Sequence, residues 1–268
     1  MNQQLSARVV VGVDGSDTAI NAAKWAVAEA VSRNVPLRLV HAVPDRRADA
    51  AGDETLEVEY AQASLRAADA ALQAMGEPVK VACDIVHGSA EGALIDESRS
   101  AAMVCVGSVG IGRIARMVLG STAEVVAREA RCPVAVVRGE PAESDSGYVA
   151  VVVDDSPGND AVLEQGFREA RLRGAPILAL GVWRWGLGEI PYQQLSHRLG
   201  RWVSRYPEVH VMPAAARRGA AEFLTRTQEP VRLAVVGSPD AGEVARIVGP
   251  PGQHVFGPAG CSVLVARN

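Results

Sequence analysis

Aromatic residues are scarce in this 268-residue chain, at 4% of the whole: four Trp, four Tyr and three Phe. No apolar run approaches the roughly 18 residues that a membrane span requires. The opening MNQQLSARVVV lacks a basic segment followed by an apolar one, so neither a spanning helix nor a secretory signal is expected. Positive charge is not in excess. Lys and Arg total 27 against 31 Asp and Glu, a formal net charge of −4, which offers no electrostatic footprint for nucleic acid. The four cysteines, Cys83, Cys105, Cys132 and Cys261, form no CxxC pair, which excludes a zinc ribbon. Three of them lie in or beside strand-like segments, so buried free thiols in a reducing cytoplasm are expected. These absences exclude secreted, membrane and DNA-binding classes.

What is present suits a soluble globular protein: 48% hydrophobic and 22% charged residues over about twice the usual domain length. An internal repeat accounts for that length. Residues 9–13, VVVGV, precede Asp14-Gly15-Ser16; residues 149–153, VAVVV, precede Asp154-Asp155-Ser156. At an offset of 140, Glu29 matches Glu169, Ala30 matches Ala170, Arg33 matches Arg173 and Pro36 matches Pro176. Further on, at an offset near 130, Val106-Gly107-Ser108 matches Val236-Gly237-Ser238, and Gly120, Cys132 and Val134 fall on Gly249, Cys261 and Val263. Two divergent copies of one domain follow, residues 1–141 and 147–268, joined by a polar linker.

Each copy alternates strand and helix. In the first, Arg8–Val13, Leu37–Val43, Val79–Val86, Met103–Gly107 and Val134–Arg138 read as strands. Thr18–Ser32, Glu54–Met75, Ala90–Ala101 and Ser121–Ala130 read as helices. This alternation predicts an α/β fold of two tandem doubly wound domains, each a parallel sheet covered on both faces. Nine of the eleven aromatics lie between Tyr148 and Phe256, which predicts a larger aromatic core in the second copy, with a separate ligand pocket as the alternative.

The segment Val104–Thr122, VCVGSVGIGRIARMVLGST, carries the chemistry. Gly107 ends a strand, Gly110 and Gly112 follow, and Gly120-Ser121-Thr122 opens a helix. Glycines beyond a strand let backbone approach a ligand, and a helix start presents unpaired N–H groups that suit phosphate. Ser121 and Thr122 add hydroxyls, or Ser121 caps the helix; Arg113 and Arg116 add positive charge. A P-loop fails because Arg113 stands where Lys belongs and Ile114 where a hydroxyl belongs. A dinucleotide fingerprint fails because it belongs after the first strand, not the fourth.

The spacing Gly107-x2-Gly110-x9-Gly120-Ser121 resembles the G-2x-G-9x-G-[ST] signature of ATP-binding universal stress proteins, in their tandem-domain form. Asp14 after the first strand and Cys132-Pro133-Val134 at the last also resemble that family. The resemblance implies five-stranded parallel sheets of strand order 3-2-1-4-5, with the ligand at the switch point outside the carboxyl ends of the first and fourth strands. It further implies that Val13 and Asp14 meet the nucleoside, Asp14 accepting a ribose hydroxyl. Backbone near His41 would meet adenine; Gly107 and Gly110 would line ribose and phosphates; Gly120, Ser121 and Thr122 would hold the phosphates. The implied cofactor is ATP with magnesium as its companion ion, and no protein-only metal site is expected.

The second copy departs from the pattern. Gly110 aligns with Asp240, and Ser121-Thr122 with Pro250-Pro251, which removes two N–H donors and both hydroxyls. Gly252, Gly257 and Gly260 weaken the following helix. One nucleotide per chain is therefore expected, in the first copy. Asp154-Asp155 also suggests a response-regulator receiver, but the third-strand segment His210–Ala214 offers no phospho-accepting Asp.

No catalytic residue is assigned: the five histidines have no orienting carboxylate, and only His87 lies near the expected rim. The expected function is a cytoplasmic, nucleotide-responsive stress or signalling regulator with an unknown protein partner. A cyclic AMP-binding protein, a nucleotide-independent interaction module and a slow ATPase are the alternatives. The resemblance implies that last strands of two domains associate, as a homodimer or an internal pseudo-dimer, and Val134–Val137 and Val263–Val265 are apolar enough to need covering at a sheet edge.

Overall fold

A computed structural model of the chain describes residues 7–45, 51–110, 119–139, 147–182, 192–216, 218–249 and 261–267. It divides into two compact units, Met1–Pro141 and Ala142–Asn268. Among the described residues no helix is long and apolar enough to cross a membrane.

The first unit contains β1 (Val9–Gly12), α1 (Asp17–Arg33), β2 (Leu37–Val43), α2 (Ala51–Gln73) and β3 (Val81–His87). It continues through α3 (Ala90–Glu97), β4 (Met103–Gly107), α4 (Ser121–Glu129) and β5 (Val134–Val137). The strands lie in the order β3-β2-β1-β4-β5. All pairings are parallel, with Val9 opposite Leu37 on one side and Met103 on the other. Val9, Val10 and Val11 are completely buried, as a central strand covered on both faces requires. Helices α1 and α2 pack on one face of the sheet, and α3 and α4 on the other.

Local signals set the helix ends. Ser16 caps α1, its hydroxyl accepting from Ala19 N–H at 3.2 Å, and Asp17 adds negative charge to the first turn. Asn34, at φ +53°, closes the helix in the left-handed conformation. The expected helix over 90–101 ends early, at Glu97. Beyond it the chain turns, with Ser98 Oγ accepting from Arg131 N–H at 2.8 Å.

The second unit contains β6 (Tyr148–Val153), α5 (Asn159–Leu172), β7 (Ile177–Gly181), α6 (Tyr192–Arg205) and β8 (Val211–Ala215). After α7 (Ala220–Arg226) and β9 (Val231–Gly237) come a 3-10 helix (Ser238–Glu243), α8 (Val244–Val248) and β10 (Ser262–Ala266). Its strand order, β8-β7-β6-β9-β10, repeats that of the first unit. The repeat is structural down to a buried ion pair. Glu29 is fully buried and meets Arg33 at 3.2 Å; Glu169 is fully buried and meets Arg173 at 3.0 Å. Phe167 on α5 packs against Trp202 of α6 at 6.1 Å and against Tyr206, the residue that follows α6, at 5.6 Å, so these aromatics form core. Trp183 and Phe256 lie outside the described residues.

The cysteine expectation holds for Cys105 and Cys132, which are buried, and all four thiols are free. Cys83 corrects it. It is exposed, because β3 pairs with β2 alone within this sheet and its residues reach solvent.

Candidate functional site

The site begins where β1 and β4 end side by side. Right-handed crossovers carry the chain from β1 toward β2 and β3 on one side, then back to β4 and β5 on the other. A crevice forms outside the carboxyl ends at this reversal. A cavity of about 270 Å³ lies there. Val13, Asp14, Gly107, Gly110, Gly120, Ser121 and Thr122 all line it, although they come from three separate stretches of chain.

Each glycine serves a different purpose. A β-carbon on Gly110 would lie 2.6 Å from Asp14 Oδ2, so a side chain there would have to push the carboxylate from its present position. A β-carbon on Gly107 would lie 2.7 Å from the Thr18 carbonyl carbon and 2.9 Å from Ala19 N. That requirement comes from α1 pressing on the end of β4, a packing reason and not the ligand approach that the motif suggests. Gly120 differs again. Its φ is −72°, and a β-carbon there would meet Ser108 O at an ordinary 3.5 Å. The protein itself would accept a side chain at Gly120.

Gly120 occupies the N-cap of α4, and its carbonyl accepts from Glu124 N–H at 2.9 Å. Ser121 is the first helical residue and not the cap, and the cap position, Gly120, has no side chain to bond the helix start. The opening of α4 is therefore backbone and hydroxyl facing a cavity, an arrangement suited to an anion. Arg113 and Arg116 lie outside the described residues.

Asp14 is held from its own turn. Its Oδ1 accepts from Ser16 N–H at 3.0 Å and from Ser16 Oγ at 2.6 Å. Ser16 Oγ lies 3.1 Å from Thr18 Oγ1, and the Thr18 hydroxyl donates to the Val109 carbonyl. The Thr18 hydroxyl thus ties the start of α1 to the glycine loop after β4, while Ser16 fixes the Asp14 carboxylate within its own turn. Gly15, at φ +88°, permits the turn.

His41 is placed differently from the other predicted residues. Its neighbours Val40 and Ala42 line the cavity and His41 does not. Alternate strand residues face opposite sides of a sheet, so its imidazole lies on the α2 side. There it is buried, with Nδ1 lacking a hydrogen-bond partner, and its ring meets Tyr60 edge-on at 5.9 Å. Burial lowers its pKa below the usual histidine value, and the charge of Asp14 opposes that shift. His87 ends β3, exposed, and is not among the cavity residues. Sequence reasoning missed Ala90 and Leu94 of α3, which form the opposite wall. Gly12 was the available signal, since a β-carbon there would strike Leu94 Cδ1 at 2.8 Å.

The second unit keeps one half of this arrangement. Asp154 Oδ1 accepts from Ser156 N–H at 2.8 Å and from its hydroxyl at 2.5 Å, repeating Asp14 and Ser16. After β9, however, the 3-10 helix replaces the glycine turn, with Pro239 in it and Asp240 at the place of Gly110. A cavity of about 410 Å³ in this unit is lined by Arg218, Glu222, Asp240, Glu243 and Arg246, and Asp154 is not among its described lining residues. Pro250, Pro251, Gly252, Gly257 and Gly260 lie outside the described residues.

The profile of the universal stress protein family matches residues 6–138. Universal stress protein Rv2624c of Mycobacterium tuberculosis is 48% identical over 269 residues, covering 97% of this chain and 96% of the relative. This chain belongs to the universal stress protein family. Universal stress protein Rv3134c of the same organism is 40% identical, with 97% and 96% covered. Among solved structures, a universal stress protein from Archaeoglobus fulgidus shares the fold along nearly the whole chain. Its TM-score is 0.71 at 15% identity, with 99% of this chain and 97% of that one covered. Both units of this universal stress protein lie within the stretch that these relatives match.

Proposed function

We propose that this universal stress protein binds one ATP per chain in the β1–β4 cavity of its first unit and acts as a nucleotide-responsive regulator. One observation carries the reading: the loop after β4 is glycine where it passes Asp14, and it leads to a helix start whose cap position, Gly120, has no side chain. Asp14 is an acceptor suited to a ribose hydroxyl. Backbone at Val40 and Ala42 supplies the edge against which adenine would lie. Gly110 and the start of α4 at Gly120, Ser121 and Thr122 would take the phosphates, with magnesium accompanying them.

No histidine is among the described lining residues of the cavity, and His41 and His87 both stand outside it, which supports binding over catalysis. ATP bound here would supply occupancy and charge. Four free cysteines support work in a reducing compartment, the cytoplasm. In the second unit, Asp240 would set a carboxylate against phosphate, which supports a single site per chain.

Calorimetric titration of nucleotide-stripped protein with ATP and magnesium, then with cyclic AMP, tests the reading, alongside Gly120→Glu. The expected result is one ATP per chain, lost in the variant. Two per chain would restore the second unit as a site, and preference for cyclic AMP would replace ATP as the ligand.

A further inference from the structure

The Asp14 turn is held from a second direction that the cavity does not reveal. Tyr60 lies on α2, 46 residues further along the chain, and its hydroxyl donates to the Asp14 carbonyl at 3.0 Å. Helix α2 packs on β2 and β3, on the His41 side of the sheet, and Tyr60 is not a cavity residue. Tyr60 therefore reaches Asp14 from behind the site.

The bond acts on a peptide that would otherwise rotate easily. The Asp14–Gly15 peptide precedes a glycine at φ +88°, and glycine populates both signs of φ. Rotating that peptide turns the Asp14 carbonyl and moves Ser16 relative to the Asp14 carboxylate. The two bonds from Ser16 to Oδ1, at 3.0 and 2.6 Å, fix the carboxylate only in the present orientation. Tyr60 is also 48% exposed, so its side chain contributes little to the core. Its ring rests on His41, which keeps the hydroxyl aimed at the turn.

We propose that Tyr60 is a positioning residue: by holding the Asp14 carbonyl it presets the Asp14 carboxylate for the ribose hydroxyls of a bound nucleotide. The proposal rests on the nucleotide reading of the cavity. A role confined to fold stability would weaken every ligand equally, whereas a role through Asp14 is felt only by ligands that carry the hydroxyls.

The test uses the full chain, stripped of nucleotide, titrated with ATP and with 2′,3′-dideoxy-ATP. The proteins are wild type, Tyr60→Phe, Asp14→Ala and the double variant. Phenylalanine keeps the ring on His41 and removes only the hydroxyl, and a thermal melt checks folding. Wild type is expected to prefer ATP by about tenfold or more, as hydrogen bonds to a charged acceptor provide. Tyr60→Phe should reduce that preference several-fold while dideoxy-ATP binding stays within about twofold. In the Asp14→Ala background, Tyr60→Phe should add nothing. Equal weakening of both nucleotides, or no change in either, would overturn the positioning role while leaving the cavity reading intact. A wild type that binds neither nucleotide would overturn both.

Discussion

Asp14 and Gly110 are matched across the cleft between β1 and β4, where a β-carbon at Gly110 would lie 2.6 Å from Asp14 Oδ2. Real β-carbons do not approach an oxygen so closely, so a side chain there must displace the carboxylate or the loop. Gly110→Ala is expected to weaken ATP binding by about tenfold or more, equivalent to about 1.4 kcal/mol, with the fold retained. Calorimetry and a melting curve on the same sample check the two halves of this statement.

Gly107→Ala should behave in the opposite way. Its β-carbon would press on the backbone of α1 at Thr18 and Ala19, a wall that cannot rotate aside. Overpacking of this kind costs about 1–3 kcal/mol, so denaturant unfolding of the first unit should shift to lower concentration. Gly120→Ala, whose new contacts are of ordinary length, should leave that midpoint nearly unchanged.

The ion pairs shared by the two units give a paired prediction. Arg33→Ala leaves the fully buried Glu29 without its guanidinium partner, and Arg173→Ala does the same to Glu169. Each loss should cost about 3 kcal/mol, because a buried carboxylate deprived of a partner keeps its full desolvation penalty. Hydrogen exchange should localise the first change to residues 7–139 and the second to residues 147–267.

His41 predicts a dependence on pH. Burial holds its folded pKa below the unfolded value of about 6.5. The unfolded chain then binds the proton more readily, so stability is complete above about 6.5 and falls as pH drops toward the folded pKa. His41→Phe should flatten this part of the stability profile, measured by urea unfolding between about pH 7 and pH 5. An unchanged slope would mean that other groups dominate the window.

Much of the fold was legible in the sequence because its signals are local or periodic. The β-branched runs marked strands, the amphipathic pattern over Thr18–Ser32 marked α1, and the offset of 140 between Glu29 and Glu169 exposed the repeat. The motif glycines were legible as a set, but their individual reasons were not. Spacing cannot show that Gly107 yields to α1, that Gly110 yields to Asp14, or that Gly120 yields to nothing in the protein. Backbone near His41 was expected to meet adenine; its neighbours Val40 and Ala42 line the cavity, while the alternation of the strand, invisible without the packed helices, puts the His41 ring on the α2 side.

By itself, the sequence determined that this chain is a doubled α/β protein whose first copy carries the complete glycine signature and whose second does not. Composition, periodicity and proline placement decide those points, since each acts through the residue's own backbone. The tertiary structure alone decided which groups meet. The Asp14–Thr18 turn, Tyr60 and Gly110 lie far apart in sequence and come together only because parallel strands bring their carboxyl ends to one edge. The bond from Thr18 to Val109 and the bond from Tyr60 to Asp14 are therefore properties of the packed sheet and its helices, where geometry, not residue type, selects the partner.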